Sequence, residues 1–294
     1  MKYKTSLSRK IFMTCNTILM ILICIVCLLP LWHVFMASIS DPAMVSKNTG
    51  FVILPLGKLS LKGYQIIAEY KSLWRGYGNT IYYILVQCII TGTLTLIAGY
   101  VLSRKEIRYR GALTMFLMFT MMFSGGTIPT YMVIRYLGML DTRWAMILPT
   151  ALSVFNIIIM RTGIQSIPDA LVESARIDGA NTAQILIKII LPLCKSTFAV
   201  IMLFTIVMKW NEWYSALLFL PQNTKLYPLQ MVLRQILVLN DADASSADLV
   251  DNLQLYKTLV KYCAITVSTL PILCVYPFVQ KYFVTGVMIG SVKQ

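Results

Sequence analysis

Apolar residues run in long blocks along this chain, separated by short polar segments. Six blocks are long enough to cross a bilayer as helices, which takes about 20 residues each. They cover residues 11–37, 80–102, 112–134, 144–160, 189–208 and 262–279. The pattern predicts an all-α, polytopic membrane protein with six transmembrane helices, forming one transmembrane domain over residues 1–294. The first block follows a basic leader, MKYKTSLSRK, but it exceeds a secretory h-region and no clear A-x-A site follows it. It therefore reads as an uncleaved first span.

Gly and Pro punctuate several blocks. FSGGTIPT places Gly125, Gly126 and Pro129 in the third, Pro149 falls early in the fourth, and Pro271 and Pro277 interrupt the sixth. Kinks are expected there. Kinked spans either line a cavity or reflect the ordinary Gly and Pro content of transmembrane helices. GVMIG, at residues 286–290, fits GxxxG but lies beyond the last block, so it is discounted as a dimerisation signal.

Composition agrees with the membrane class: 57% of the 294 residues are hydrophobic, 13% are charged, and the mean hydropathy is +0.71. The net charge of +14 comes from 26 Lys+Arg against 12 Asp+Glu. These cations are spread through short connections instead of forming one stripe, so no nucleic-acid partner is expected. Lys2, Lys4, Arg9 and Lys10 precede the first span. Arg104, Lys105, Arg108 and Arg110 crowd the link between the second and third, and Arg161, Arg176 and Lys188 lie between the fourth and fifth. The positive-inside rule puts these segments, and both termini, on the cytoplasmic side. Residues 38–79 and 209–261 then face outward. The second of these loops holds Asp241, Asp243, Asp248 and Asp251 and leads into a short helix expected at 249–261. It is either solvated or a contact for an external partner.

The chain lacks the chemistry of an enzyme. No GxxxxGK[ST] occurs, so it does not hydrolyse ATP by itself, and HExxH and GxSxG are missing too. The single histidine, His33, sits beside Trp32 and reads as an interface anchor. The seven cysteines fall in or beside apolar runs, and the Cys24–Cys27 pair has no His, Asp or Glu nearby to complete a metal site. Apart from Lys195, the span interiors hold no Asp, Glu, Lys or Arg, which argues against a self-powered secondary carrier. Their polarity is uncharged: Asn16, Gln87, Thr91, Thr93, Thr95 and Asn156, with Trp210 and Asn211 at the outer end of the fifth. Such groups either bond helix to helix or line a path for a neutral, hydroxyl-rich solute. The path candidates are Gln87, Asn156, Trp210 and Asn211.

The loop at 161–188 contains a charged, glycine-broken helix pair. The first helix is expected to begin at SIPD, with Ser166 as N-cap, Pro168 in an early position and Asp169 complementing the positive helix end. It ends at Asp178-Gly179, where glycine takes the left-handed C′ conformation. At about 100° per residue, Asp169, Glu173 and Arg176 fall within roughly 60° of arc. The remaining circumference holds Ile167, Ala170, Leu171, Val172, Ser174, Ala175 and Ile177. So wide an apolar surface requires docking, either on lipid or, as the mixed polar face favours, in a protein groove. A second amphipathic turn from Asn181 or Thr182 runs to Pro192, which marks the join to the fifth span. A force on this elbow would reach the membrane core.

Glu173, Ser174, Ala175, Gly179, Ile189, Leu191 and Pro192 meet the spacing of the EAA loop, with Ser174 in place of the middle Ala. In this the chain resembles permease subunits of bacterial ATP-binding-cassette (ABC) importers. SDPAMV, YGNTIYY, FSGGTIPTY, LGMLDTRWAMILP, WNEWYSALLFL, YPLQ and GVMIGS are similar to the carbohydrate-uptake, MalG-like branch, and most of all to its LplC/YtcP-type sugar permeases. The resemblance implies a coupling helix at residues 167–179 seated on a separate ATPase, with Leu171, Glu173, Ser174, Ala175, Arg176, Asp178 and Gly179 as the coupling residues. It further implies two copies of that ATPase, with ATP and Mg bound there and no cofactor on this chain. A second permease subunit, an extracytoplasmic solute-binding protein and a bacterial cytoplasmic membrane location complete the expectation. The competing expectations are a stand-alone facilitator or secondary carrier for a neutral solute, and a non-transporting membrane scaffold.

Overall fold

The computed structural model describes residues 7–238 and 256–274, which are helical or irregular, with no strand among them. The chain divides into two compact units, residues 1–70 with 235–270, and residues 71–234 with 271–294.

The first unit is built on α1 (Leu7–Ser38), which contains the predicted span 11–37 and whose apolar side chains are exposed along almost its whole length. Side chains at its C-terminal end bind the strap that follows. His33 Nδ1 accepts the Val52 amide at 2.9 Å, and Trp32 Nε1–H donates to the Ile53 carbonyl at 2.8 Å. The imidazole, packed edge-on against Tyr262, is thus a backbone bracket, beyond the interface anchor expected of it. Asp41 caps α2 (Pro42–Lys47) by accepting the Ala43 amide at 2.9 Å. In α3 (Lys62–Glu69), Tyr64 meets Ser38 at 2.6 Å. The helix Tyr256–Cys274, α14 in chain order, sets Leu259 and Cys263 against Gly63, where a side-chain Cβ would come 2.6 Å from the Cys263 sulfur. The short helix expected at 249–261 is corrected as far as the described residues go. From Tyr256 onward it is continuous with the sixth apolar block, because no breaker separates residues 256–261 from the block. Residues 275–279 of that block, Pro277, the Asp241–Asp251 run and GVMIG lie outside the described residues.

The second unit is organised around α4 (Lys71–Ser103), which contains the predicted span 80–102 and starts nine residues earlier (80 − 71). It packs on α8 (Val154–Gln165) and α11 (Lys195–Trp210). At Gly99 the α4 backbone approaches α8 so closely that a Cβ would lie 2.9 Å from Met160 Cγ. Only glycine fits there without a shift.

Of the other three predicted spans, the third and fourth are bent at the Gly and Pro positions where kinks are expected, and the fifth is bent where none is expected. The third is two helices, α5 (Arg110–Met122) and α6 (Thr127–Tyr136), bent by 110°. Its Gly-Gly pair, with Gly126 at φ +87°, leaves the helical region, and Pro129 falls in the first turn of α6, where no amide donor is needed. The fourth is α7 (Arg143–Ile147) with a 3₁₀ turn at Leu148–Thr150, followed by α8 at a bend of 50°. Pro149 removes the donor that would carry α7 onward, Ser153 caps the restart, and α8 runs to Gln165 instead of ending at residue 160. The fifth starts later than expected. Residues 189–193 belong to α10 (Thr182–Leu193), and α11 leaves it at 86° from Lys195. Pro192 crowds the preceding turn, which is wound as a π-helix over Ile185–Ile190, and Cys194 breaks the helix at φ −96°, ψ 15°. Two further helices, α12 (Tyr214–Phe219) and α13 (Leu229–Val238), give residues 209–238 helical structure where a loop was expected. By length and apolarity, the described residues hold three helices able to cross a membrane, or up to six if each bent pair counts as one span.

Candidate functional sites: the α9 elbow and a polar cavity

The elbow begins where α8 ends. Ser166 does not cap the next helix as expected; its hydroxyl donates back to the Gly163 carbonyl at 2.7 Å and closes α8. Pro168 holds the N-cap position of α9 (Asp169–Ile177) without a side-chain cap, because its ring pre-sets the backbone entry. The helix closes as a Schellman motif. The Gly179 amide donates to the Arg176 carbonyl at 3.1 Å and the Ala180 amide to the Ala175 carbonyl at 2.9 Å, with Gly179 at φ +80°. Asn181 and Gln184 then form a reciprocal capping box that starts α10.

Val172 anchors α9, 1% exposed in a core shared with Leu96 and Tyr100 of α4, Met160 and Ile164 of α8, and Ile185 and Ile190 of α10. Ala175 and Ala180 pack against the same core. The opposite side is exposed: Leu171, Glu173, Ser174, Ile177 and Asp178. Two members of the expected polar arc are engaged within the chain. Asp169 pairs with Arg104 at 3.6 Å and Lys105 at 3.9 Å, and Arg176 pairs with Glu106 at 3.1 Å. The Glu106 carboxylate, which accepts from Arg176 at 3.1 Å, pushes the Arg176 pKa further up from the usual guanidinium value. Pro192 lies in α10, two residues before the Cys194 break that forms the bend into α11.

A cavity of about 530 Å³ lies between α4, the α7–α8 bend and the end of α11. Gln87, Asn156 and Asn211 line it; Trp210 does not, and is instead buried with its ring edge-on to Tyr77. The donors of Gln87 are already used: Nε2 donates to the Thr150 carbonyl at 2.8 Å and to Thr91 Oγ1 at 2.9 Å, and Thr91 donates to the Ala151 carbonyl at 2.8 Å. These bonds satisfy carbonyls freed where the helix pair is broken at Pro149. Gln87 Oε1 is buried without a partner.

One residue past the predicted end of the fifth span, where a loop is expected, the helix continues and carries a charge. Lys209, in the last turn of α11, is buried, donates to the Met146 carbonyl of α7, and pairs with Glu212 at 2.6 Å. Both residues line the cavity. In the sequence Lys209 marks the end of an apolar block and reads as the start of the following loop. The i,i+3 spacing of Lys and Glu in KWNEW is the available signal of a pair. Farther along α4 the same bonding continues, with Asn79 Nδ2 donating to the Lys225 and Tyr227 carbonyls and Tyr83 to the Leu226 carbonyl.

Comparison with known proteins adds to this geometry. A family model described as "Binding-protein-dependent transport system inner membrane component" matches residues 2–289. The chain is 37% identical over 284 residues to Protein LplC of Bacillus subtilis, covering 97% of this chain and 95% of that one. It is also 37% identical over 276 residues to the polygalacturonan/rhamnogalacturonan transport system permease protein YtcP of the same organism, covering 93% and 95%. A chain in the crystal structure of a bacterial ABC transporter involved in import of the acidic polysaccharide alginate superposes with a TM-score of 0.86 at 33% identity, covering 95% of this chain and 99% of that one.

Proposed function

This chain belongs to the family of binding-protein-dependent transport system inner membrane components, and we propose that it is the permease subunit through which an ABC importer passes a sugar or oligosaccharide. In this reading the three long apolar helices and the three bent pairs make six spans in a bacterial cytoplasmic membrane, with both termini and the elbow inside. α9 is the coupling helix. It presents Leu171, Glu173, Ser174 and Asp178 to a cytoplasmic ATPase, while Ala175 and the Gly179 turn hold it in shape. Two ATPase copies carry ATP and Mg, this chain binds neither, and a second permease subunit completes the pathway. A solute-binding protein delivers the ligand from outside, with residues 209–261 as its contact. The substrate class is supported by the polysaccharides named for YtcP and for the alginate importer.

The observation that carries the coupling reading is the arrangement of α9: a nine-residue helix rooted by Val172, closed at Gly179, with Leu171 and Ile177 left 45% and 87% exposed. An apolar surface of this kind at a loop tip fits a groove on a partner. Alternating access then has a physical route, because α10 joins α9 to α11, whose far end carries Lys209 beside the cavity.

Proteoliposomes test this. With the second permease, ATPase and binding protein present, solute uptake should require ATP, and ATP hydrolysis should rise with loaded binding protein. Uptake by this chain alone would identify a facilitator and end the importer reading.

A further inference from the structure

α9 is attached to its surroundings twice. The chain attaches it through α8 and α10. Side chains attach it to Arg104-Lys105-Glu106, the three residues that directly follow α4. At the start of α9, Asp169 meets Arg104 at 3.6 Å and Lys105 at 3.9 Å; at its end, Arg176 meets Glu106 at 3.1 Å. The Arg104 guanidinium, 11% exposed, lies 4.6 Å over the ring of Tyr100 in the last turn of α4. Beneath these contacts Val172 shares a core with Leu96 and Tyr100.

A helix held at both ends by one tripeptide, and rooted between them, cannot tilt or slide against α4 without breaking an ion pair. Displacing it from the end of α4 therefore costs these contacts. α4 in turn carries Gln87 and Thr91, whose bonds to the carbonyls of Thr150 and Ala151 hold the bend beside the cavity. Contiguous packed side chains and ion pairs of this kind can carry coupling between sites.

We propose that Arg104 and Glu106 are positioning residues that carry displacement of α9 into α4, a second route to the cavity beside the covalent one through α10 and α11. The proposal rests on the reading of α9 as the helix on which an ATPase acts.

The test is a charge swap in the complete importer, reconstituted with its partner permease, ATPase and binding protein. Solute taken up per ATP hydrolysed is measured for wild type, Glu106→Arg, Arg176→Glu and the double swap. Each single variant should lower that ratio by about three- to fivefold, the most that one exposed ion pair supplies, and the double swap should restore it to within about twofold. Basal hydrolysis by the Glu106→Arg complex should match wild type. Glu106→Gln, which keeps the side-chain volume, replaces Glu106→Arg if charge reversal blocks assembly, and the same loss is expected. An unchanged ratio in the single variants, or a double swap as poor as the product of the singles, would overturn the proposal. A wild-type complex that shows no ligand-stimulated hydrolysis would instead overturn the importer reading, and this proposal with it.

Discussion

The Gln87 side-chain amide donates to the Thr150 carbonyl at 2.8 Å, across the break between α7 and α8. With Thr91 on Ala151, it lets the α7–α8 pair be broken at Pro149 without leaving carbonyls bare beside the cavity. The break and its repair come from different helices, so neither α4 nor the α7–α8 pair makes physical sense alone.

Gln87→Leu should therefore destabilise the protein by about 1–3 kcal/mol, the cost of a buried acceptor left unmet. Thermal unfolding of the detergent-solubilised protein would register this as a lowered midpoint. Gln87→Glu, which keeps only acceptors at that position, should fare no better.

Lys209 and Glu212 form a pair buried to 5% and 13% side-chain exposure. Lys209→Met leaves Glu212 buried and unpaired and should cost about 3–5 kcal/mol, whereas Lys209→Met with Glu212→Leu should recover most of the loss. A double-mutant cycle on unfolding midpoints measures the coupling directly. Additive losses would mean that the pair contributes no joint stability.

Gly179 sits at φ +80°, and a Cβ there would meet no atom within 4 Å. The penalty for Gly179→Ala is thus conformational, about 1–2 kcal/mol, and Gly179→Asn should cost less because asparagine tolerates this region. Limited proteolysis of the elbow should rank the three proteins in the order Gly, Asn, Ala from most to least resistant.

Gly99 presents the opposite case, since its Cβ would press on Met160 Cγ at 2.9 Å and the Arg161 amide nitrogen at 3.2 Å. Gly99→Ala should cost about 1–3 kcal/mol by overpacking the α4–α8 contact. The combination with Met160→Ala, which opens room, should cost less than the sum of the two single changes, read again from unfolding midpoints.

Much of this was legible in the sequence. The apolar blocks located the helices because lipid requires long apolar stretches, and Asp178-Gly179 announced the end of α9 because few residues besides glycine accept that backbone. The bend angles were not legible. FSGGTIPT and Pro149 signal a break, but whether a helix turns by 110° or 50° depends on what packs against it. Ser166 misled because a serine two positions before a proline in SIPD reads as an N-cap, while the chain uses its hydroxyl to finish α8. Lys209 misled because a cation after an apolar run reads as a loop residue. Its burial depends on the Met146 carbonyl, 63 positions away in the chain, which no local pattern reveals. The ion pairs from 104–106 to α9 were hidden for the same reason, with Glu106 and Arg176 separated by 70 positions.

The central claim is that an ATPase subunit seats on the exposed side of α9. A photo-reactive residue placed at Ser174, exposed on that helix, tests it most directly in cells that express the whole system. Cross-linking to a nucleotide-binding subunit, identified by mass spectrometry of its P-loop peptide, is the expected result. Cross-links confined to lipid or to this chain itself, with no nucleotide-binding protein captured, would contradict it.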